Sequence, residues 1–325
     1  MKRHRIRAFA PGRVNLIGEH TDYNDGLCLP FAIEFGVTVT AELRDGSAIA
    51  ARGLPGDDPY LRGAVAGLRA AGIDPPGCVL ELTSDLPAGA GLSSSAALCV
   101  ALTLALCGVA GATPPAPAEL ARLCSRIENE YAGVETGLLD QLASLLGEEG
   151  RALRLDLRTL ESAPVELELD GHVLAVLDSG SPRELAGSGY NERRAECRRA
   201  AELLGLESLR DARDGAGLPD PLGRRVRHVI TENERVDAAV AALEARDPEG
   251  LGWLLDASHR SLRDDYEVSV PEVERAVAAC RDAGALGARI MGGGFGGAVL
   301  GLFPPGARLP EGALPVRPGP GARLC

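Results

Sequence analysis

Apolar positions along the 325-residue chain change period several times, and each change marks an element. Alternating or short apolar runs predict strands over 6–10, 37–43, 79–82, 153–157 and 173–177. Residues 98–106 are nearly all apolar, which predicts a helix buried on every side. Residues 118–131 place Leu120, Leu123, Cys124, Ile127 and Tyr131 on one helical stripe, and Thr113-Pro114-Pro115-Ala116-Pro117 reads as the surface connection between these two helices. The second half is richer in helix. Val226, Val229, Ile230, Val236, Val240 and Leu243 recur at helical spacing within 224–246, and Val273, Ala276, Val277 and Cys280 repeat the pattern. Residues 289–303 are interrupted by glycines and end in a strand, and the Pro- and Gly-rich tail from Pro304 reads as extended. No internal repeat is visible. The change in pattern places a boundary near residue 170, giving domains 1–170 and 171–325.

One stretch follows neither period: Ala10-Pro11-Gly12-Arg13-Val14-Asn15-Leu16-Ile17-Gly18-Glu19-His20-Thr21-Asp22-Tyr23-Asn24-Asp25-Gly26. It reads either as a polar turn after the first strand or as a loop of convergent hydrogen-bonding groups suited to a ligand covered in hydroxyls.

Composition narrows the chemistry. The length suits two domains, and 45% hydrophobic residues are ample for their cores. No apolar run is long enough to span a bilayer, and Met1-Lys2-Arg3-His4-Arg5 leads into no signal-type stretch, so a soluble, cytoplasmic protein is expected. The eight cysteines show no Cys-x-x-Cys pair and read as reduced packing residues. A net charge of −12 argues against nucleic acid or an anionic membrane as partner. Lys2 is the sole lysine, which excludes a Walker A lysine and a Schiff base in the body of the chain. Phosphate, if handled, must be held by arginine, backbone N–H groups, a helix N-terminus and metal.

Pro87-Ala88-Gly89-Ala90-Gly91-Leu92-Ser93-Ser94-Ser95-Ala96-Ala97 provides such donors. Glycines let the backbone approach a ligand, and the helix that follows offers unpaired N–H groups and the positive end of its dipole. An ordinary serine cap with a glycine turn is the competing reading. Gly292-Gly293-Gly294-Phe295-Gly296-Gly297 formally matches a dinucleotide fingerprint, but a strand rather than a helix follows it, so that reading fails. Asp140, flanked by Leu138, Leu139 and Leu142, needs a partner if buried. Glu128, beside an apolar helical stripe, reads by itself as a solvated helix residue.

The run from Ala10 resembles the signature of the galactokinases, in the GHMP family of small-molecule kinases. The serine-rich loop is similar to that family's nucleotide-binding motif, and the glycine turn at 292–297 to its third motif. The resemblance spans nearly the whole chain and implies an α+β, two-domain GHMP kinase fold. Its N-terminal domain is like domain 2 of ribosomal protein S5, its C-terminal domain is ferredoxin-like, and the active site lies in the cleft between them. It implies transfer of the ATP γ-phosphoryl group to the anomeric hydroxyl of α-D-galactose, and the expected partners are galactose and ATP, with no nucleic acid, no membrane and a monomeric state.

Residue by residue, the resemblance makes Asp140, in Gly137-Leu138-Leu139-Asp140-Gln141, the catalytic base and Arg13 its partner. An arginine beside a carboxylate keeps it ionised and stabilises charge on the transferring group. Sugar contacts fall on Glu19, His20, Asp22, Gly137 and Asp140. ATP contacts fall on Pro87, Gly89, Ala90, Gly91, Leu92, Ser93, Ser94, Ser95 and Ala96, and Mg²⁺ on Ser94 with Glu128. Gly189-Tyr190-Asn191-Glu192-Arg193-Arg194, the 224–229 run and the 258–269 block also match family runs, with charges read as mostly structural. The chain departs from the pattern at Met291, Ala298 and Cys99, at Gly223 where many relatives carry a sugar-lining tyrosine, and in a shortened 37–79 segment. Sister sugar 1-kinases acting on N-acetylgalactosamine, arabinose or galacturonate are the alternatives, with a non-catalytic galactose sensor as a further one. The intact 91–97 loop favours an enzyme.

Overall fold

The computed structural model describes residues 5–55, 57–87, 91–133, 136–181 and 188–325. In the first half, β1 (Arg5–Asn15), β2 (Leu27–Cys28), β3 (Pro30–Leu43) and β4 (Ile49–Arg52) precede α1 (Pro59–Ala70). Then come β5 (Cys78–Ser84), α2 (Ser94–Val109), α3 (Pro117–Arg126), α4 (Leu139–Leu146), β6 (Arg151–Asp156) and β7 (Ser162–Glu166). The second half holds β8 (Val173–Asp178), α5 (Ser188–Leu204), α6 (Leu222–Glu244), α7 (Pro248–Asp264) and α8 (Pro271–Asp282). It ends with β9 (Gly287–Met291), β10 (Ala298–Phe303), β11 (Leu314–Val316) and β12 (Arg323–Leu324).

These elements make three sheets, ordered β12-β1-β3-β5-β4, β11-β8-β10-β9 and β2-β6-β7. In the first sheet only β4 and β5 pair in parallel; the second is antiparallel throughout. The tail is extended, as expected, and β12 returns to pair with β1.

The apolar helix is α2, packed against β1 and β3 on one side and against α1, α3 and α4 on the others. That environment explains its composition: it has no solvent face to spend on charge. Leu102 and Leu106 are fully buried, and truncating either to alanine should cost about 2–5 kcal/mol through lost contact and cavity. Helix starts follow local chemistry: Asp58 accepts hydrogen bonds from the Tyr60 and Leu61 N–H groups with Pro59 at the first position, and Asp247 caps α7 before Pro248. One core cluster joins the two halves, uniting Val14, Leu16, Ile17 and Phe31 with Val236, Leu255, Met291 and Leu300.

Two expected boundaries are corrected. The first strand does not stop at Ala10 but runs to Asn15, so Arg13 is held in a sheet rather than a turn. The ladder breaks register between Pro11 and Arg13, because Pro11 has no N–H to contribute. The Arg13 N–H instead bonds the Leu92 carbonyl at 3.2 Å, and Gly12 allows that close approach, since a side chain there would meet the same carbonyl. The 118–131 helix is also not uniform: α3 ends at Arg126 and residues Ile127–Tyr131 widen into a π-turn, a feature common at functional sites. Among the described residues no helix is long and apolar enough to cross a membrane.

Candidate active site

Three segments distant in sequence meet at Asp140, in the first turn of α4. Arg13 Nε donates to Asp140 Oδ1 at 2.8 Å, and the same guanidinium donates through Nη1 to the Gly91 carbonyl at 2.9 Å. Ser93 Oγ donates to Asp140 Oδ2 at 2.5 Å. Both carboxylate oxygens are therefore addressed, one by a charge and one by the serine-rich loop. The Arg13 side chain is 5% exposed and that of Asp140 27%, so the carboxylate is reachable while the guanidinium is not.

The loop is not an ordinary serine cap. Ser93 sits in the left-handed region at φ 58° and makes no side-chain cap on α2. Leu92 and Ala96 are buried, Ser94 is exposed at the first position of α2, and Pro87 and Gly91 flank the segment. Gly89 and Ala90 lie outside the described residues.

Glu128, on the π-turn, is buried rather than solvated. It accepts hydrogen bonds from Thr136 Oγ1 at 3.3 Å and from Gln141 Nε2, and Ser95 also bonds it. Burial, with the nearby Asp140 charge, pushes its carboxyl up to about 7 against the hydrogen bonds. Ser94 lies one residue before Ser95, exposed at the first position of α2. A buried carboxylate whose hydrogen-bond partners are neutral groups fits a hard divalent cation, which would supply the missing positive charge.

On the other side of Asp140 lies the signature loop. Glu19 Oε1 accepts the Gly292 N–H at 2.6 Å and pairs with Arg289 Nη2 at 3.0 Å. Burial alone would raise its carboxyl, but Arg289, Arg13, the Gly292 N–H and Asn15 outweigh burial and hold it below the usual range. Asp22 has the opposite balance. Burial and the neighbouring Asp140 and Glu19 charges push it up to about 6, with Arg194 opposing. Gly137 backs Asp22 directly; any side chain at 137 would collide with the Asp22 carboxylate. His20, at φ 61°, places Nδ1 2.8 Å from the Tyr23 hydroxyl. The glycine turn at 292–297 links the antiparallel pair β9–β10, which agrees with rejecting the dinucleotide reading.

Two residues at the site were read from sequence as structural. The Tyr190 ring lies 5.6 Å from His20 and 5.7 Å from Tyr23, and Arg194 sits 5.2 Å over the Tyr23 ring. The signal that could have found them is their spacing: four apart on α5, they share one face. Gly223, by contrast, packs on Gly215 at the start of α6, and the rings that neighbour His20 are those of Tyr23, Tyr190 and Tyr266.

The second half of the chain grips the backbone of this loop. Glu232 accepts the N–H groups of Gly18 and Glu19, His228 Nε2 meets the Glu19 carbonyl, and Asn233 Oδ1 accepts the Leu27 N–H. Ser208 and Arg210 donate to the Asn24 and Asp25 carbonyls, and Arg289 to those of Asn15 and Leu16. Backbone groups that a loop cannot satisfy internally are satisfied across the two halves.

An aspartate flanked by arginine and serine, a buried carboxylate beside a serine-rich helix start, and a second carboxylate-rich loop fit a GHMP-type small-molecule kinase. The chain matches the GHMP kinases N terminal domain over residues 59–148, the GHMP kinases C terminal domain over 239–314, and the galactokinase galactose-binding signature over 2–43. It is 43% identical to a Mycobacterium tuberculosis galactokinase over 91% of this chain and 88% of that one. It is 40% identical to a Thermotoga neapolitana galactokinase over 93% and 90%. The crystal structure of Lactococcus lactis galactokinase complexed with galactose superposes with a TM-score of 0.90 at 33% identity, covering 98% of this chain and 95% of that one. This chain belongs to the galactokinase family.

Proposed function

We propose that the protein transfers the γ-phosphoryl group of ATP to the anomeric hydroxyl of α-D-galactose, giving galactose 1-phosphate and ADP. The observation that carries this reading is the Asp140 carboxylate set between Arg13 and Ser93 at the mouth of the phosphate loop. Asp140 takes the proton of the sugar O1, whose oxygen forms the new bond to phosphorus as the bond to the ADP oxygen breaks. Arg13 stabilises charge on the transferring group, and the start of α2 with Ser93 and Ser94 receives the phosphates. Glu19, His20 and Asp22 contact ring hydroxyls, and Gly137 lets Asp22 stand where it does. Residues 1–170 supply the signature and the phosphate loop, and residues 171–325 close the cleft. Glu128 and the Ser94 hydroxyl would hold Mg²⁺, which when bound neutralises phosphate charge. The test is NMR identification of the product. A phosphate on the galactose anomeric carbon supports the reading, and one on another carbon or another sugar overturns it.

A further inference from the structure

Behind His20 runs a row of three groups that phosphoryl transfer does not use. His20 Nδ1 lies 2.8 Å from the Tyr23 hydroxyl, which lies 3.0 Å from the Tyr266 hydroxyl, which lies 2.9 Å from Cys197 Sγ. The row crosses from the signature loop to the segment after α7 and ends on α5. Tyr266 and Cys197 are buried, and the Tyr266 ring packs 4.7 Å from the His20 ring and 4.4 Å from that of His228.

Proton bookkeeping orients this row. Burial pushes both phenols well above their usual range and the thiol up to about 11, so all three groups carry their hydrogens at any working pH. Three contacts need three hydrogens, and the thiol and two hydroxyls supply three. Passed toward His20, they leave each hydrogen in one contact, with Nδ1 as final acceptor. The reverse order needs a hydrogen on Nδ1 and leaves the thiol hydrogen outside the row. It also asks sulfur, a weak acceptor, to take the Tyr266 hydrogen. Imidazole nitrogen is the strongest acceptor present, so the forward order places the strongest bond where it forms.

We propose that Cys197, Tyr266 and Tyr23 fix His20 in the tautomer protonated on Nε2, making it a hydrogen-bond donor toward the sugar. The proposal rests on the reading of His20 as a sugar contact. It gives the pocket a polarity: hydroxyls facing Glu19 and Asp22 must donate, while the oxygen facing His20 must accept. Tyr23 is then a positioning residue.

The direct test is nitrogen-15 NMR of histidine-labelled, substrate-free protein at alkaline pH, with His20 assigned by comparison with His20→Gln. A bare Nδ1 and a protonated Nε2 are expected, and a protonated Nδ1 overturns the proposal whether or not any variant folds. Tyr23→Phe keeps the ring under Arg194 and removes only the hydroxyl. It should lose the single-tautomer signature and raise the galactose KM about three- to tenfold, the range of one hydrogen bond, with the ATP KM unchanged. Cys197→Ser, which restores a donor at the end of the row, should keep the wild-type spectrum and KM. An unaltered His20 spectrum in Tyr23→Phe overturns the proposal. A changed spectrum with an unaltered galactose KM instead supports the row and overturns the reading of His20 as a sugar contact.

Discussion

Ser93 gives its hydroxyl to Asp140 Oδ2 at 2.5 Å instead of capping the helix it precedes. A serine cap would accept N–H groups of the first turn of α2; here the side chain leaves them uncapped. The left-handed backbone of Ser93 carries strain of about 1–3 kcal/mol, which the surrounding contacts sustain. The start of α2 and Asp140 are thereby coupled through one hydroxyl.

Asp140→Asn should retain sugar binding but lower turnover by roughly 10²–10⁴-fold, the range for a lost general base. Calorimetric titration with galactose beside steady-state rates separates the two effects. Near-native turnover would remove Asp140 from the reaction.

Asp22→Asn should lose most galactose activity yet stabilise the substrate-free protein. The Asp22 carboxyl is raised in the fold from 3.8 to about 6, so the fold favours its protonated form. The resulting penalty is absent below pH 3.8 and complete above about pH 6. With allowance for partial exposure, the variant should gain about 1–2 kcal/mol at pH 8 and almost nothing at pH 4, as read by denaturant unfolding. A loss of stability at pH 8 would contradict this.

Glu232→Gln should act in the opposite sense. Burial would raise the Glu232 carboxyl, but Arg235, His228, Arg289 and the Ser258 hydroxyl hold it down to about 2. Its contribution is therefore present above the unfolded value near 4.5 and lost as pH falls toward 2. The variant should be about 3 kcal/mol less stable at pH 7, with that difference shrinking to about half or less by pH 3. Equal differences at both pH values would show that the carboxylate does not support the fold by its charge.

The metal reading is tested by Glu128→Gln, which removes one negative oxygen from a site suited to a hard cation. The Mg²⁺ concentration for half-maximal rate should rise. Unchanged Mg²⁺ dependence would leave Glu128 as a buried structural carboxylate.

Much of this was legible in the sequence because periodicity and motif agree there. The all-apolar run became α2, and the glycine- and serine-rich stretch at 87–97 leads into its first turn. What escaped depends on three-dimensional contacts. No local pattern shows that β1 continues through Arg13 past a register shift against β3, or that a π-turn buries Glu128 against Gln141. Tyr190 and Arg194 looked like an ordinary charged helix until α5 met the signature loop, and Glu232 is one acidic residue among many until its partners are the Gly18 and Glu19 amides.

In the proposed reaction the loop of Glu19, His20 and Asp22 reads a galactose whose O1 faces Asp140. A carboxylate left unpaired by a sugar inverted at one carbon gives discrimination of about 10⁴–10⁵-fold. The most direct measurement is Mg²⁺-dependent ADP release with galactose and with glucose, which differ at C4. Galactose-dependent release with a kcat/KM for glucose about 10⁴-fold lower is the predicted result. Release indifferent to galactose, or comparable rates with both sugars, would contradict it.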